Sequence, residues 1–357
     1  MKINPISNFT YKNAYRPITK KEPSFASNNN EDRDLLLDYL NNLGQAGREI
    51  VVFDDTDAES EKKIDLNCND FPDIDDLKLR RLDYLTKHNQ KNLNEKLIQE
   101  PENFFINIEG YGRNYKWARY MKEACNYAAL LIRNGESFEN VLDTIAQDCQ
   151  NCAFLNVKTC GDFEKAWRTG VLRDEKTPTT LATPYDMSGI KYGAYGLKYS
   201  LKALSASTNS VTKQFSAKTP EMFPDFRPTR IFFYPQRNEG KLFHPMNGVK
   251  PALNYSKEIY ENLLENYTNR KLNKKEIKEV NSQIATIHWL MAHGVPYHRG
   301  SDSITNVFVK ALYNALGFEL DCAKENISFD LEAFCSELDE YRKKYTKLYE
   351  KEPKYIL

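Results

Sequence analysis

Asn281 to Phe318 reads NSQIATIHWLMAHGVPYHRGSDSITNVFVKALYNALGF, and its pattern is helix, short loop, helix. Ahead of the loop, Ile277, Val280, Ile284, Ile287, His288 and Met291 recur at steps of three and four, which places them on one helical face. Gly294 suits the left-handed position just past a helix end. Pro296 stops the helix from resuming and makes Val295 extended. After the loop, Ile304, Val307, Phe308, Ala311, Leu312, Ala315 and Leu316 form a second apolar stripe. Ser301 is the expected cap of that helix, with Asp302 in its first turn and Gly317 at its end.

The loop between them, Gly294 to Ser303, concentrates the unusual chemistry. Unpaired N–H groups at a helix start attract anions, and Gly300 lets a ligand come close to the backbone. Arg299 adds a forked cation suited to phosphate or carboxylate. Asp302 opposes an anion unless it acts as a base. The plain alternative is a capped helix-loop-helix with Arg299 paired to a nearby acid.

The same stretch resembles the core of the Fic family, whose loop reads H-P-F-x-(D/E)-G-N-G-R-x-x-R between two helices. Pro296, Tyr297 and Gly300 match its Pro, Phe and first Gly, and Ile287-His288-Trp289 resembles its preceding helix. Val295 stands where that family has its catalytic His. Arg299 replaces the metal-binding acid, Ser301 the Asn, Asp302 the second Gly, and Ser303 and Asn306 the two Arg. The resemblance implies a mainly α, Fic-like helical bundle with a small β-hairpin. It does not imply standard nucleotide-monophosphate transfer. A looser relation is to AvrB-like bacterial effectors, which share the wider fold without the motif.

On that basis the expected activity is transfer of a nucleotidyl, phosphoryl or glycosyl group from a nucleotide or nucleotide-sugar donor to a protein hydroxyl. His293, His298 and Asp302 are the candidate catalytic bases, because a base must reach the hydroxyl proton. Tyr297, Arg299, Gly300, Ser301, Ser303 and Asn306 are the candidate donor-binding residues. No metal or cofactor is expected, since Arg299 occupies the metal-ligand position. The alternative is a catalytically inactive effector or binding protein of the same fold.

Composition bounds the rest. Apolar residues are 41% and charged residues 28%, as in a globular protein, and Lys+Arg equals Asp+Glu at 50 each, so net charge gives no reason to expect nucleic acid. No apolar run approaches the ~20 residues of a membrane span, and the N-terminus lacks a secretory core. The expected location is cytoplasmic, with delivery into a host cell as an effector the alternative. Seven Cys, odd in number and irregularly spaced, suit a reducing compartment. Cys149, Cys152 and Cys160 could contribute to a zinc site, but buried thiols are the favoured explanation.

Four regions follow. Residues 1–30 are rich in Asn, Ser, Lys, Thr and Pro and read as a disordered tail. Residues 31–160 read as a helical region, with a helix at Glu31 to Leu43, a short strand at Ile50 to Phe53 and a solvated acidic stretch from Asp54 to Asp76. Further helices are expected at Leu77 to Ile98, at Tyr111 to Asn134 and from Ser137. Residues 161–227 read as a Gly/Ser/Tyr-rich insertion or lid. Residues 228–357 form the core. There Arg230 to Tyr234 predicts a strand paired with Lys241 to Phe243, and helices are expected at Tyr255 to Asn269 and Leu331 to Leu348. His244 reads as an exposed turn residue. The Fic resemblance gives the hairpin the role of holding an extended target segment.

Overall fold

Asp73 begins the first described helix. Its carboxylate accepts the N–H groups of Asp75 and Asp76, and the Asp76 side chain accepts the N–H of Asp73. That reciprocal box satisfies the donors a helix start leaves open. It also gives the end of the acidic stretch a structural task. The computed structural model describes residues 71–105, 114–160, 163–173, 181–186, 213–234, 239–325 and 327–357. The predicted tail, the helix at 31–43, the strand at 50–53 and the Tyr-Gly-Lys stretch at 190–200 lie outside the described residues.

In chain order the helices are α1 (Ile74–Lys87), α2 (Tyr115–Arg133), α3 (Phe138–Cys160), α4 (Phe163–Arg168), α5 (Val249–Tyr267), α6 (Lys274–Gly294), α7 (Ser301–Ala315), α8 (Phe329–Phe334) and α9 (Leu338–Lys344). The strands are β1 (Leu181–Asp186), β2 (Lys213–Ser216), β3 (Arg230–Tyr234), β4 (Glu239–His244), β5 (Phe318–Glu319) and β6 (Lys354–Tyr355). The protein is therefore mainly helical, as expected, with a small antiparallel sheet in the order β1-β4-β3-β2.

The predicted hairpin is β3 against β4, in register from Arg230 opposite Phe243 to Tyr234 opposite Glu239. Two more strands come from the Gly/Ser/Thr-rich stretch. β1 carries Pro184 and lies at a sheet edge, where a residue without an N–H is tolerated.

Helix α6 lies at the centre. Asn273 and Glu276 form a second capping box at its start. From Ile284 to Gly294 every residue is buried, not just one face, because α5, α7, α8 and α9 all pack on it. The 3.6-residue pattern understated this: Thr286, His288, Trp289 and His293 are as enclosed as the aliphatic residues. Helix α2 packs on α7 and α3, and Arg80 of α1 forks onto the fully buried Asp148 of α3 at 2.9 and 2.6 Å. Such a bidentate pair fixes geometry as well as charge.

The stripe from Leu331 to Leu348 predicted one helix. The structure divides it into α8, α9 and a 3₁₀ turn at Tyr345–Leu348. Glu337, at the break, is extended (φ −61°, ψ 152°). The break leaves the Ser336 carbonyl to accept the indole N–H of Trp289 at 3.0 Å. A buried indole N–H requires such a partner, and sequence periodicity cannot show that demand.

Candidate functional site

Helix α6 includes Gly294, and the residue just past its end is Val295. Val295 takes the left-handed conformation (φ 41°), and its N–H bonds to Met291 O at 3.0 Å. A β-branched residue is strained there, so the expectation that Gly294 supplies this turn is corrected. Gly294 has another purpose. A Cβ on it would lie 2.5 Å from the Ala252 Cβ and 3.3 Å from the Gly248 carbonyl, so its missing side chain lets α5 approach.

The start of α7 also differs from expectation. Gly300, left-handed at φ 85°, is the residue ahead of the helix, and Ser301 is its first residue. The Ser301 hydroxyl turns back instead of capping forward. It accepts the Tyr297 N–H at 2.9 Å and donates to the Tyr297 carbonyl at 3.0 Å. That closes the loop on itself.

Residues 169–173 form a strap along the loop that the sequence did not reveal. The Gly170 N–H donates to Arg299 O at 3.1 Å, the His298 N–H to Val171 O at 2.9 Å, and the Arg173 N–H to Pro296 O at 2.8 Å. The Arg173 guanidinium then donates to the carbonyls of Gly294 (3.3 Å), Val295 (3.0 Å) and His244 (3.1 Å). It thus satisfies acceptors that the end of α6 leaves open. Arg173 is buried, and burial pulls its pKa down to about 10.

Beside Arg173 lies a sealed polar cluster. His293 is fully buried; its Nδ1 accepts the Thr229 N–H at 3.0 Å, and its Nε2 pairs with Ala333 O at 3.1 Å. A carbonyl can only accept, so Nε2 carries the proton and the ring is neutral. The Thr229 hydroxyl donates to His293 O at 2.8 Å, so it must accept from His244 Nδ1, also 2.8 Å away. His244 is buried, which corrects the exposed-turn assignment. Burial lowers both histidines to a pKa of about 3, with the Arg173 charge adding to the effect on His244. His288 is also at about 3, lowered by burial and then by Lys310, and bonds Tyr345 Oη through Nδ1 at 2.7 Å.

The remaining predicted site residues lie along the loop and the first turns of α7. Tyr297 is buried with its hydroxyl pKa raised by burial, His298 is half-buried, and Arg299 is exposed. Asp302, Ser303 and Asn306 are half-buried. The Asn306 amide donates to Asp302 Oδ1 at 2.8 Å and to Asp302 O at 3.0 Å.

Facing Asp302 electrostatically is Asp330 at the start of α8, which sequence reasoning passed over. Its carboxylate accepts the Leu331 N–H at 2.7 Å and bonds the Ser328 hydroxyl. Enclosure by protein holds Asp302 well above the usual carboxylate range, the Asp330 charge adds to this, and the Asn306 bond opposes it. Asp330 is raised too, chiefly by burial, against the bonds from Ser328 and Leu331. No pattern links positions 302 and 330 in the sequence; only the fold joins them.

Among the described residues no group of three His, Cys, Asp or Glu side chains could hold a metal ion, and no helix is long and apolar enough to cross a membrane. Cys149 and Cys152 are buried thiols.

No curated protein matches the chain. Residues 248–352 match the model of the AvrB_AvrC family, described as avirulence protein. The matched segment runs from α5 to the end of the helical core and contains α6, the loop, Asp302 and Asp330. Over that segment the chain is thus similar to avirulence effectors, which is the looser of the two relations expected from the sequence.

Proposed function

We propose that the protein is a bacterial effector that transfers a nucleotidyl, phosphoryl or glycosyl group from a nucleotide or nucleotide-sugar donor to a hydroxyl of a host protein. The effector part rests on the avirulence-family match. The transfer part rests on one observation: Asp302, partly buried at the start of α7, is a carboxylate whose proton affinity is raised by enclosure and by Asp330. A carboxylate tuned upward is a stronger acceptor for the proton of an attacking hydroxyl.

In this scheme Asp302 is the general base, and Asn306 holds its carboxylate in place. Asp330 raises its basicity. His298 and Arg299 precede it in the same loop, four and three residues earlier, and would meet the donor there. The exposure of Arg299 makes it a rim cation for an anionic donor and not an enclosed clamp. His293 takes no part as a base, since both of its nitrogens already have partners.

Thermal-shift measurements against nucleotides and nucleotide sugars, followed by a label-transfer assay on host-cell protein, test this. The wild type should be stabilised by at least one donor, and Asp302→Asn should still bind it while losing transfer. If no donor shifts the melting temperature and no label moves, transfer is excluded.

A second reading is favoured by the sealed cluster and the strap. The position that carries the Fic base is Val295, and the loop edge is already occupied by residues 169–173. An effector that acts by binding alone would show that arrangement. Capture of a host protein unaffected by Asp302→Asn, with no donor binding, would support it.

A further inference from the structure

Met222 stands out from the segment between β2 and β3, with 56% of its surface exposed. Its backbone is fixed by its neighbours. Phe223 and Phe226 are buried, the Phe223 N–H donates to Pro220 O at 2.9 Å, and the Phe226 N–H donates to Phe223 O at 3.1 Å. The Thr219 hydroxyl closes the segment by donating to Phe226 O at 3.1 Å.

Against the thioether lies Arg342 of α9. Its Nε donates to Thr286 Oγ1 of α6 at 2.7 Å, and its Nη1 is 3.5 Å from an Asp339 carboxylate oxygen. Those two contacts set the plane of the guanidinium. Its third arm, Nη2, meets Met222 Sδ at 3.5 Å. A thioether is a weak acceptor, so a cation placed there gains little from the sulfur as it stands. A sulfoxide oxygen on the same sulfur is polar, and its bond to a guanidinium is charge-assisted.

We infer that Met222 is a site of reversible oxidation by hydrogen peroxide, with Arg342 as the donor that captures the sulfoxide. In that step the sulfur lone pair attacks one peroxide oxygen, so the S–O bond forms and the O–O bond breaks. The leaving hydroxide takes the proton of the transferred oxygen and departs as water. Sulfur is oxidised by two electrons and the peroxide is reduced by the same two. Met121 and Met291 are fully buried and meet peroxide only through opening of the core. Met222 needs no opening. Because a sulfoxide is chiral at sulfur, a guanidinium fixed on one side of Sδ favours the epimer whose oxygen faces it.

Capture ties the segment more firmly to α9. The same segment carries Phe226, whose ring lies 5.6 Å from that of Trp289, and leads to Thr229, whose N–H donates to His293 Nδ1 at 3.0 Å. Oxidation here steadies the chain beside the sealed cluster, the reverse of what a sulfoxide does inside a core. The site is separate from the loop and does not depend on the transfer chemistry.

The test treats the full chain with limiting hydrogen peroxide and follows each methionine by peptide mass mapping. The Met222 peptide should gain one oxygen about tenfold or more ahead of the Met121 and Met291 peptides. The oxidised wild type should melt roughly one to two degrees above the reduced protein. Arg342→Gln should still oxidise at Met222 but show no such rise. The wild type alone gives a further readout: two methionine sulfoxide reductases, each specific for one epimer, should reverse unequal fractions of the Met222 sulfoxide. Oxidation of Met222 no earlier than of the buried methionines, a melting temperature lowered by oxidation, an equal rise in Arg342→Gln, or equal reversal by the two reductases would each overturn the inference.

Discussion

Two polar regions flank the end of α6, and they differ in what the fold has done with similar residues. One is the cluster of Thr229, His244 and His293, where every ring nitrogen with a described bond points to a backbone or hydroxyl partner and no residue meets solvent. The other is the start of α7, where Asp302, Ser303 and Asn306 are half-buried and Asp302 shares its field with Asp330. By residue type the first is the better candidate for acid–base work. By environment it is the second. Burial converts a histidine into a structural strut when its nitrogens are satisfied, while partial access leaves a carboxylate able to exchange its proton.

Acidification should separate the two regions with the largest effect. His244, His288 and His293 sit at about 3 in the folded protein against an ordinary 6.5. Between those values the unfolded chain binds protons the folded one refuses, so their contribution is complete above pH 6.5 and falls as pH drops toward 3. Asp302 and Asp330 are raised above 3.8 and act in the opposite sense. Their contribution is present below 3.8 and declines as pH rises through the folded values. Urea midpoints from pH 7 to pH 4 should therefore fall steeply. His293→Asn should flatten that fall and Asp302→Asn should steepen it. Unchanged slopes in both variants would mean the two regions are not electrostatically distinct.

Next in size is the residue that joins the strap to the end of α6. Arg173→Met keeps much of the apolar stem but removes the donors to the carbonyls of Gly294, Val295 and His244. Buried acceptors left open cost about 1–3 kcal/mol each, with relaxation recovering part, so a loss of about 3 kcal/mol in chemical denaturation is expected. A loss below about 1 kcal/mol would show that the strap is an ornament on the loop and not its support.

Gly294→Ala follows, at about 2 kcal/mol, the usual scale for an added carbon in a packed interface. The new Cβ meets the Ala252 Cβ at 2.5 Å. Ala252→Gly in the same chain should recover most of the loss. If it recovers none, the glycine is there for backbone conformation, as its sequence position suggested, and not for the approach of α5.

That pair of explanations for Gly294 shows what was legible in advance. The helices around the loop, the hairpin at Arg230–Phe243 and the core face of α7 follow from local periodicity, and the structure has them. The left-handed turn is also visible, and glycine, the commonest residue there, points to Gly294; the helix instead includes Gly294, whose missing Cβ admits Ala252 of α5, and Val295 takes the turn. The strap and Asp330 were not legible. Their partners are distant in sequence, and neither carries a local signature, since a guanidinium that caps carbonyls looks the same in sequence as a surface arginine. His244 was misplaced for a related reason. A His-Pro step after a strand resembles an exposed turn until Thr229 is brought beside it.

The smallest expected effect concerns Arg299, the residue the loop motif made most prominent. It is exposed, and its backbone is already engaged through the carbonyl that accepts the Gly170 N–H. Substitution of an exposed side chain seldom moves stability by more than about 0.5 kcal/mol, so Arg299→Ala should melt with the wild type. Its effect on a donor, where one binds, should also be modest. A rim cation is worth about 1 kcal/mol, which is roughly a fivefold weakening that salt would erase. Complete loss of binding, persisting at high salt, would mean that a donor draws this guanidinium into an enclosed site. The start of α7 would then have the buried cation that the sealed cluster already has in Arg173, and the contrast between the two regions would narrow to the Asp302 and Asp330 carboxylates on one side and the neutral histidines on the other.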